Sequence, residues 1–152
     1  VCSSDLFEVA LDIHAAETRA LAALTAAGWA LADPAVVACD PWRYREYVQG
    51  SRAEFMATKG IYVDTRGGWF SERSICYLAS GRPVLAQDTG LAGLLPVGTG
   101  LLTFTNPDEA AAGVHAIRAD YPRHAQAARA IAEQCFDSDR VIPDLLAKLG
   151  IG

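Results

Sequence analysis

The run Val84-Leu85-Ala86, three apolar residues in succession, limits the fold more than any other feature of the chain. A strand with one wet face alternates apolar and polar residues. An unbroken apolar run asks for burial on both faces, the condition of a parallel sheet covered by helices. The surroundings agree. Residues 71–80 carry Ile75, Leu78 and Ala79 at i, i+3 and i+4, a helical spacing, and stop at Gly81. Pro83 then suits the first residue of a strand, where its missing N–H costs no ladder bond.

The same alternation runs along the chain from Phe7. Strands are predicted at 8–12, 29–31, 53–56, 83–87 and 101–104, and helices at 15–27, 34–39, 41–49, 71–80, 107–119, 122–135 and 139–149. Several helices open on an Asx-Pro pair: Asp33-Pro34, Asp40-Pro41, Asn106-Pro107 and, more loosely, Asp120-Tyr121-Pro122. The Asx side chain caps the first free N–H groups, and Pro at the first helical position lacks an N–H that would be orphaned anyway. Gly28 closes the alanine-rich helix that carries Leu21 and Leu24 on one face, and Pro143 leaves the start of the last helix open. The mixed stretch 58–69 receives no element. Strands alternating with helices predict an α/β fold, a Rossmann-like parallel sheet with helices on both faces, as one domain over 7–152.

Composition narrows the function. Of 152 residues, 51% are hydrophobic and 20% charged, which is globular, and no apolar run approaches the roughly 20 residues of a membrane span. A net charge of −5 without a basic cluster argues against nucleic acid and anionic membrane as partners. The 28 alanines and the skew of 11 Arg to 2 Lys suggest a GC-rich bacterial genome. Cys2, Cys39, Cys76 and Cys135 form no C-x-x-C pair and read as reduced, mostly buried thiols of a cytoplasmic protein. His14, His115 and His124 are scattered and read as helix-surface or edge residues, so neither a metal site nor a cofactor is expected. Residues 1–6, Val-Cys-Ser-Ser-Asp-Leu, have no Met, basic n-region or apolar h-region, which excludes a signal peptide. They resemble a translated sequencing-adapter end. The expectation is an artefact or unstructured tail on a chain that begins mid-protein.

Open parallel sheets bind ligands beyond the C-terminal ends of their strands. Two segments fall there: Asp88-Thr89-Gly90 after the strand 83–87, and Arg66-Gly67-Gly68-Trp69-Phe70-Ser71-Glu72-Arg73, a glycine turn that opens a helix. Such a turn lets backbone approach a ligand closely, and free N–H groups with the helix dipole favour an anion such as phosphate. Arg73 has two readings. It is a surface charge offset by Glu72, or it faces a diphosphate together with Ser71. Lys59 likewise is an ordinary solvated lysine or a cation on the ligand edge. Trp69 and Phe70 read as core anchors with a base-stacking alternative. No Ser-His-Asp order, activated Cys or carboxylate pair stands out, so no catalytic residue is assigned.

The segment Ser71-Glu72-Arg73-Ser74-Ile75-Cys76-Tyr77-Leu78-Ala79-Ser80-Gly81-Arg82-Pro83-Val84-Leu85-Ala86-Gln87-Asp88-Thr89-Gly90 resembles the donor-binding segment of group 1 glycosyltransferases, in their spore-maturation-protein-like branch. A helix ending in Ala-Ser-Gly leads through Pro-Val into a strand and a small-residue loop. The resemblance implies the C-terminal, nucleotide-sugar-binding half of a GT-B enzyme, preceded by an acceptor domain that carries the general base. It implies donor contacts at Lys59, Gly68, Ser71, Arg73, Asp88, Thr89 and Gly90, with a nucleotide-diphosphate sugar as substrate and no metal. Stabilisation of the departing diphosphate would fall to Arg73, Lys59 and the helix N-terminus. Alignment on Ala-Ser-Gly puts Cys76 and Gly68 where many members carry a glutamate pair, so ribose recognition differs. Two alternatives stand beside the transferase: a non-catalytic nucleotide- or sugar-binding module of the same fold, and half of a nucleotide-sugar epimerase.

Overall fold

The computed structural model describes residues 7–14 and 16–151. The expectation for residues 1–6 lies outside them. The chain divides into two compact units, Val1–Tyr47 and Val48–Gly152.

In the first unit β1 (Glu8–Ala10) and β2 (Ala30–Ala32) pair in parallel, Val9 opposite Leu31, with α1 (Thr18–Ala26) as the crossover. The end of α1 follows its sequence: Gly28 N–H donates to Thr25 O at 3.0 Å and Trp29 N–H to Leu24 O at 3.0 Å, the paired closure of a Schellman motif. Asp33 Oδ1 accepts from Ala35 N–H at 2.8 Å and starts α2 (Pro34–Val37). Asp40 Oδ1 accepts from Trp42 and Arg43 N–H at 2.8 and 2.9 Å and starts α3 (Pro41–Gly50). Those bonds, first the one from Arg43 N–H, hold the Asp40 carboxyl below its ordinary range.

The second unit runs β3 (Glu54–Met56), α4 (Gly60–Thr65), α5 (Glu72–Ala79), β4 (Val84–Gln87), β5 (Leu101–Phe104), α6 (Pro107–Ala119), α7 (Tyr121–Cys135) and α8 (Ser138–Lys148). Its three strands are parallel in the order β3-β4-β5, with Phe55, Leu85 and Leu102 in one cross-strand row. β4 is therefore the interior strand that its apolar run requires, and Val84, Leu85 and Ala86 are all buried. Leu85 packs with Phe104 and with Ile117 of α6, while Phe55, Leu102 and Val114 close the cluster. Neighbouring residues on a strand face opposite ways. Met56, next to Phe55, accordingly receives the Ser74 hydroxyl of α5 on its sulfur at 3.2 Å. α6 covers one face and α5 the other. Burying the Leu85 side chain against α6 contributes about 2 kcal/mol.

Three expectations change. Residues 60–65 form a helix where none was assigned. Among the described residues the thiols are not mostly buried: Cys39 and Cys76 are exposed and Cys135 is half-buried, while Cys2 lies outside them. His124 is buried, and its Nδ1 accepts the Gly100 N–H at 3.2 Å, because the turn into β5 would otherwise bury an unpaired donor against α7. Element ends move by a few residues, as in β1, which stops at Ala10, and α8, which starts at Ser138 under the Asp137 cap. Among the described residues no helix is long and apolar enough to cross a membrane.

Candidate functional site

The strands of the second unit end at Met56, Gln87 and Phe104, and side chains and backbone tie the loops beyond them to one another. Gln87 Oε1 accepts the Thr58 N–H at 3.1 Å, and Asp88 N–H donates to Phe104 O at 2.8 Å, which carries the β4–β5 ladder one step further. The Thr58 hydroxyl at this edge is buried without a hydrogen-bond partner.

The two segments singled out from the sequence meet here. Gly68 N–H donates to Thr89 O at 2.8 Å, and the Thr89 hydroxyl returns a bond to Trp69 O at 2.7 Å. Gly90, at φ 95°, lies so close to the chain that a Cβ would stand 2.8 Å from Arg66 O. Only glycine meets both conditions at once. Asp88 organises the turn: its Oδ1 accepts from Gly90 N–H at 2.9 Å and Leu91 N–H at 3.2 Å, while its Oδ2 pairs with Arg66 Nη2 at 3.2 Å. Arg66 itself adopts the left-handed conformation, at φ 48°, as the last residue of the α4 turn. Outside glycine and Asx residues that conformation is uncommon and costs about 1 kcal/mol.

Ser71 is buried and caps α5, its hydroxyl accepting the Arg73 N–H at 3.2 Å. Arg73 turns to a partner that its neighbourhood in sequence does not show. Its Nε lies 2.6 Å from Oε1 of Glu54, whose side chain is only 5% exposed, rather than beside Glu72. Glu54 Oε2 is buried with no hydrogen-bond partner. Lys59 stands exposed on the loop after β3, before the first turn of α4. The third loop adds a carboxylate. Glu109 accepts from both the Thr105 hydroxyl and the Thr105 N–H at 2.7 Å. The hydroxyl bond, then the backbone bond, hold its carboxyl below the ordinary range against a smaller opposing effect of desolvation and, last, of Asp88. Both aromatic rings of the turn are occupied. Trp69 stacks on Tyr62 with centroids 4.7 Å apart, and Phe70 on Phe136 at 5.9 Å.

The structure thus brings Gly68, Asp88, Thr89 and Gly90 into one hydrogen-bonded unit, with Ser71 at the helix start beside it. Arg73 is tied to a buried carboxylate and Lys59 is free-standing in solvent. Glu54, which pairs with Arg73, and Glu109, which holds Thr105, were not singled out in the sequence, and Arg66 was read only as the first residue of the glycine-turn segment. Of the two carboxylates only Glu109 left a signal, since Asn-Pro-x-Glu is a capping pattern. Among the described residues no group of three or more His, Cys, Asp or Glu side chains could hold a metal ion.

Fold and site define an α/β unit of Rossmann-like type, a parallel sheet flanked by helices with hydrogen-bonded loops at its C-terminal edge. No protein-family model, curated protein or solved structure matches the chain.

Proposed function

We propose that the Val48–Gly152 unit binds a nucleotide-diphosphate sugar, as the donor-binding part of a GT-B glycosyltransferase. One observation carries the reading. The segments 66–71 and 88–90, separated in sequence by a helix and a strand, are bonded together at the C-terminal edge of parallel strands, in front of the start of α5. That edge is where open α/β sheets take ligands, and a helix start presents free N–H groups to a phosphate. Gly68 and Gly90 let the two segments pack closely, since a Cβ would meet Leu94 at the first and the Arg66 backbone at the second, and Asp88 fixes the turn.

The test is a titration of the purified chain with UDP, GDP, ADP and dTDP and with the matching nucleotide sugars, read by melting midpoint and by calorimetry. A ligand at ten times its Kd stabilises by about 1.4 kcal/mol, a rise of about 3–5 °C for a chain of this size. One nucleotide class should give that rise. If the whole panel leaves the midpoint unchanged at millimolar concentration, the proposed function fails.

A further inference from the structure

We propose that Arg66 is the residue that meets the phosphate oxygens of the ligand, held in wait by Asp88; the proposal rests on the reading of this edge as a diphosphate site. Three cations compete for the role: Lys59, Arg66 and Arg73. Arg73 is committed elsewhere. Its Nε is 2.6 Å from Glu54 Oε1, and Glu54 is 5% exposed with its second oxygen already unpartnered. Drawing Arg73 toward a ligand would strand a buried carboxylate, which is strongly unfavourable. Arg66 carries no such debt. Its side chain is 66% exposed, its pair with the 15%-exposed Asp88 spans 3.2 Å through a single nitrogen, and the Gly90 and Leu91 N–H groups keep Asp88 partnered when Arg66 leaves. Pairs of that kind contribute little and are exchanged readily.

Position and chemistry point the same way. The Arg66 carbonyl lies against Gly90 and its guanidinium reaches Asp88, so the residue ties its own segment to both ends of the 88–90 turn. The guanidinium has five N–H donors in a fixed fork, of which Asp88 engages only Nη2, and that fork matches two phosphate oxygens side by side. A cation is needed here, because Asp88 and Glu109 make the edge acidic and would repel an anion that met no positive charge. Lys59, on the β3 loop, offers a point charge without the fork.

The experiment compares wild type with Arg66→Asn and Arg66→Gly. Both replacements accept a left-handed backbone, so each keeps the turn while removing the guanidinium. Each folded variant should bind the nucleoside diphosphate that wild type selects about tenfold or more weakly, the loss of a charge-assisted bond. Its unliganded melting midpoint should stay within about 3 °C of wild type, because the Gly90 and Leu91 N–H groups still hold the Asp88 carboxylate. Arg66→Lys should recover part of the affinity. If either folded variant binds within twofold of wild type, Arg66 is not the contact, while the proposed function stands. If wild type binds no nucleoside diphosphate, both readings fall together.

Discussion

Replacing Arg73 with alanine removes the ion-pair partner of a carboxylate that is almost completely out of water. Glu54 is 5% exposed and the Arg73 side chain 51%, so the pair is neither a surface pair nor a fully enclosed one. Breaking a fully buried pair costs about 3–5 kcal/mol, whereas an exposed pair contributes less than about 1. Water reaches the arginine half here, which places the cost of Arg73→Ala near 2 kcal/mol. For 152 residues that lowers the melting midpoint by about 4–8 °C. Glu54→Gln leaves the arginine able to turn to solvent and buries no net charge, so it should cost less, about 1 kcal/mol. The double variant Glu54→Gln/Arg73→Ala should therefore recover part of the loss, a coupling above about 1 kcal/mol and near 2 in a double-mutant cycle read by urea denaturation. An Arg73→Ala midpoint within about 1 °C of wild type, or a double variant no more stable than Arg73→Ala alone, refutes the argument. The same reasoning makes Arg73→Ala a poor probe of ligand binding, since a loss of affinity would be mixed with a loss of folded protein.

Two further outcomes follow from the geometry. Gly100 sits at φ 80° where a Cβ would stand 2.4 Å from Ala128 N, so Gly100→Ala should lower stability by about 2–5 kcal/mol, seen as a large drop in urea midpoint; an unchanged midpoint would deny the close pass of α7 over the β5 turn. The Glu109 carboxyl ionises more readily in the folded chain, chiefly through the Thr105 hydroxyl bond, so its contribution is complete above the ordinary glutamate value of 4.5 and disappears as pH falls below it. Glu109→Gln should flatten the acid limb of a plot of melting midpoint against pH, and identical limbs would count against it.

Local chemistry made most of the elements of the second unit legible before any coordinates. Val84-Leu85-Ala86 announced an interior strand because both-face burial leaves no polar alternation to find. Asn106, Asp120 and Ser71 announced helix starts because capping is a contact within three residues. α4 was invisible for the converse reason. Lys59 at its start makes no side-chain cap, Ile61, Tyr62 and Val63 are poor helix formers, and Arg66 rather than glycine takes the left-handed position at its end. The cleft was half legible. Its glycines and the Asp88 turn advertise themselves locally, whereas the pairs Arg66–Asp88 and Arg73–Glu54 join residues 22 and 19 positions apart. No spacing rule covers such distances, because the sheet and not the helix repeat sets them. His124 failed likewise: only the approach of α7 to Gly100 turns a surface-type residue into a buried acceptor.

The central place of β4 also governs when the sheet can exist at all. Glu54 of β3 registers with Val84 of β4, 30 residues later, and β5 joins the sheet only through β4. During synthesis at about 5–20 residues per second, β3 emerges and waits about 2–6 seconds before its ladder partner is made. Throughout that interval Phe55 and Met56 present apolar side chains on an unpaired backbone, and the helical segment 72–79 has no sheet to lie on. Pairing of β3 must then close a loop that contains the whole glycine turn of residues 66–71, a slow non-local step compared with helix formation. The geometry that brings Arg66 to Asp88 is thus established late, in the same event that rescues the exposed strand.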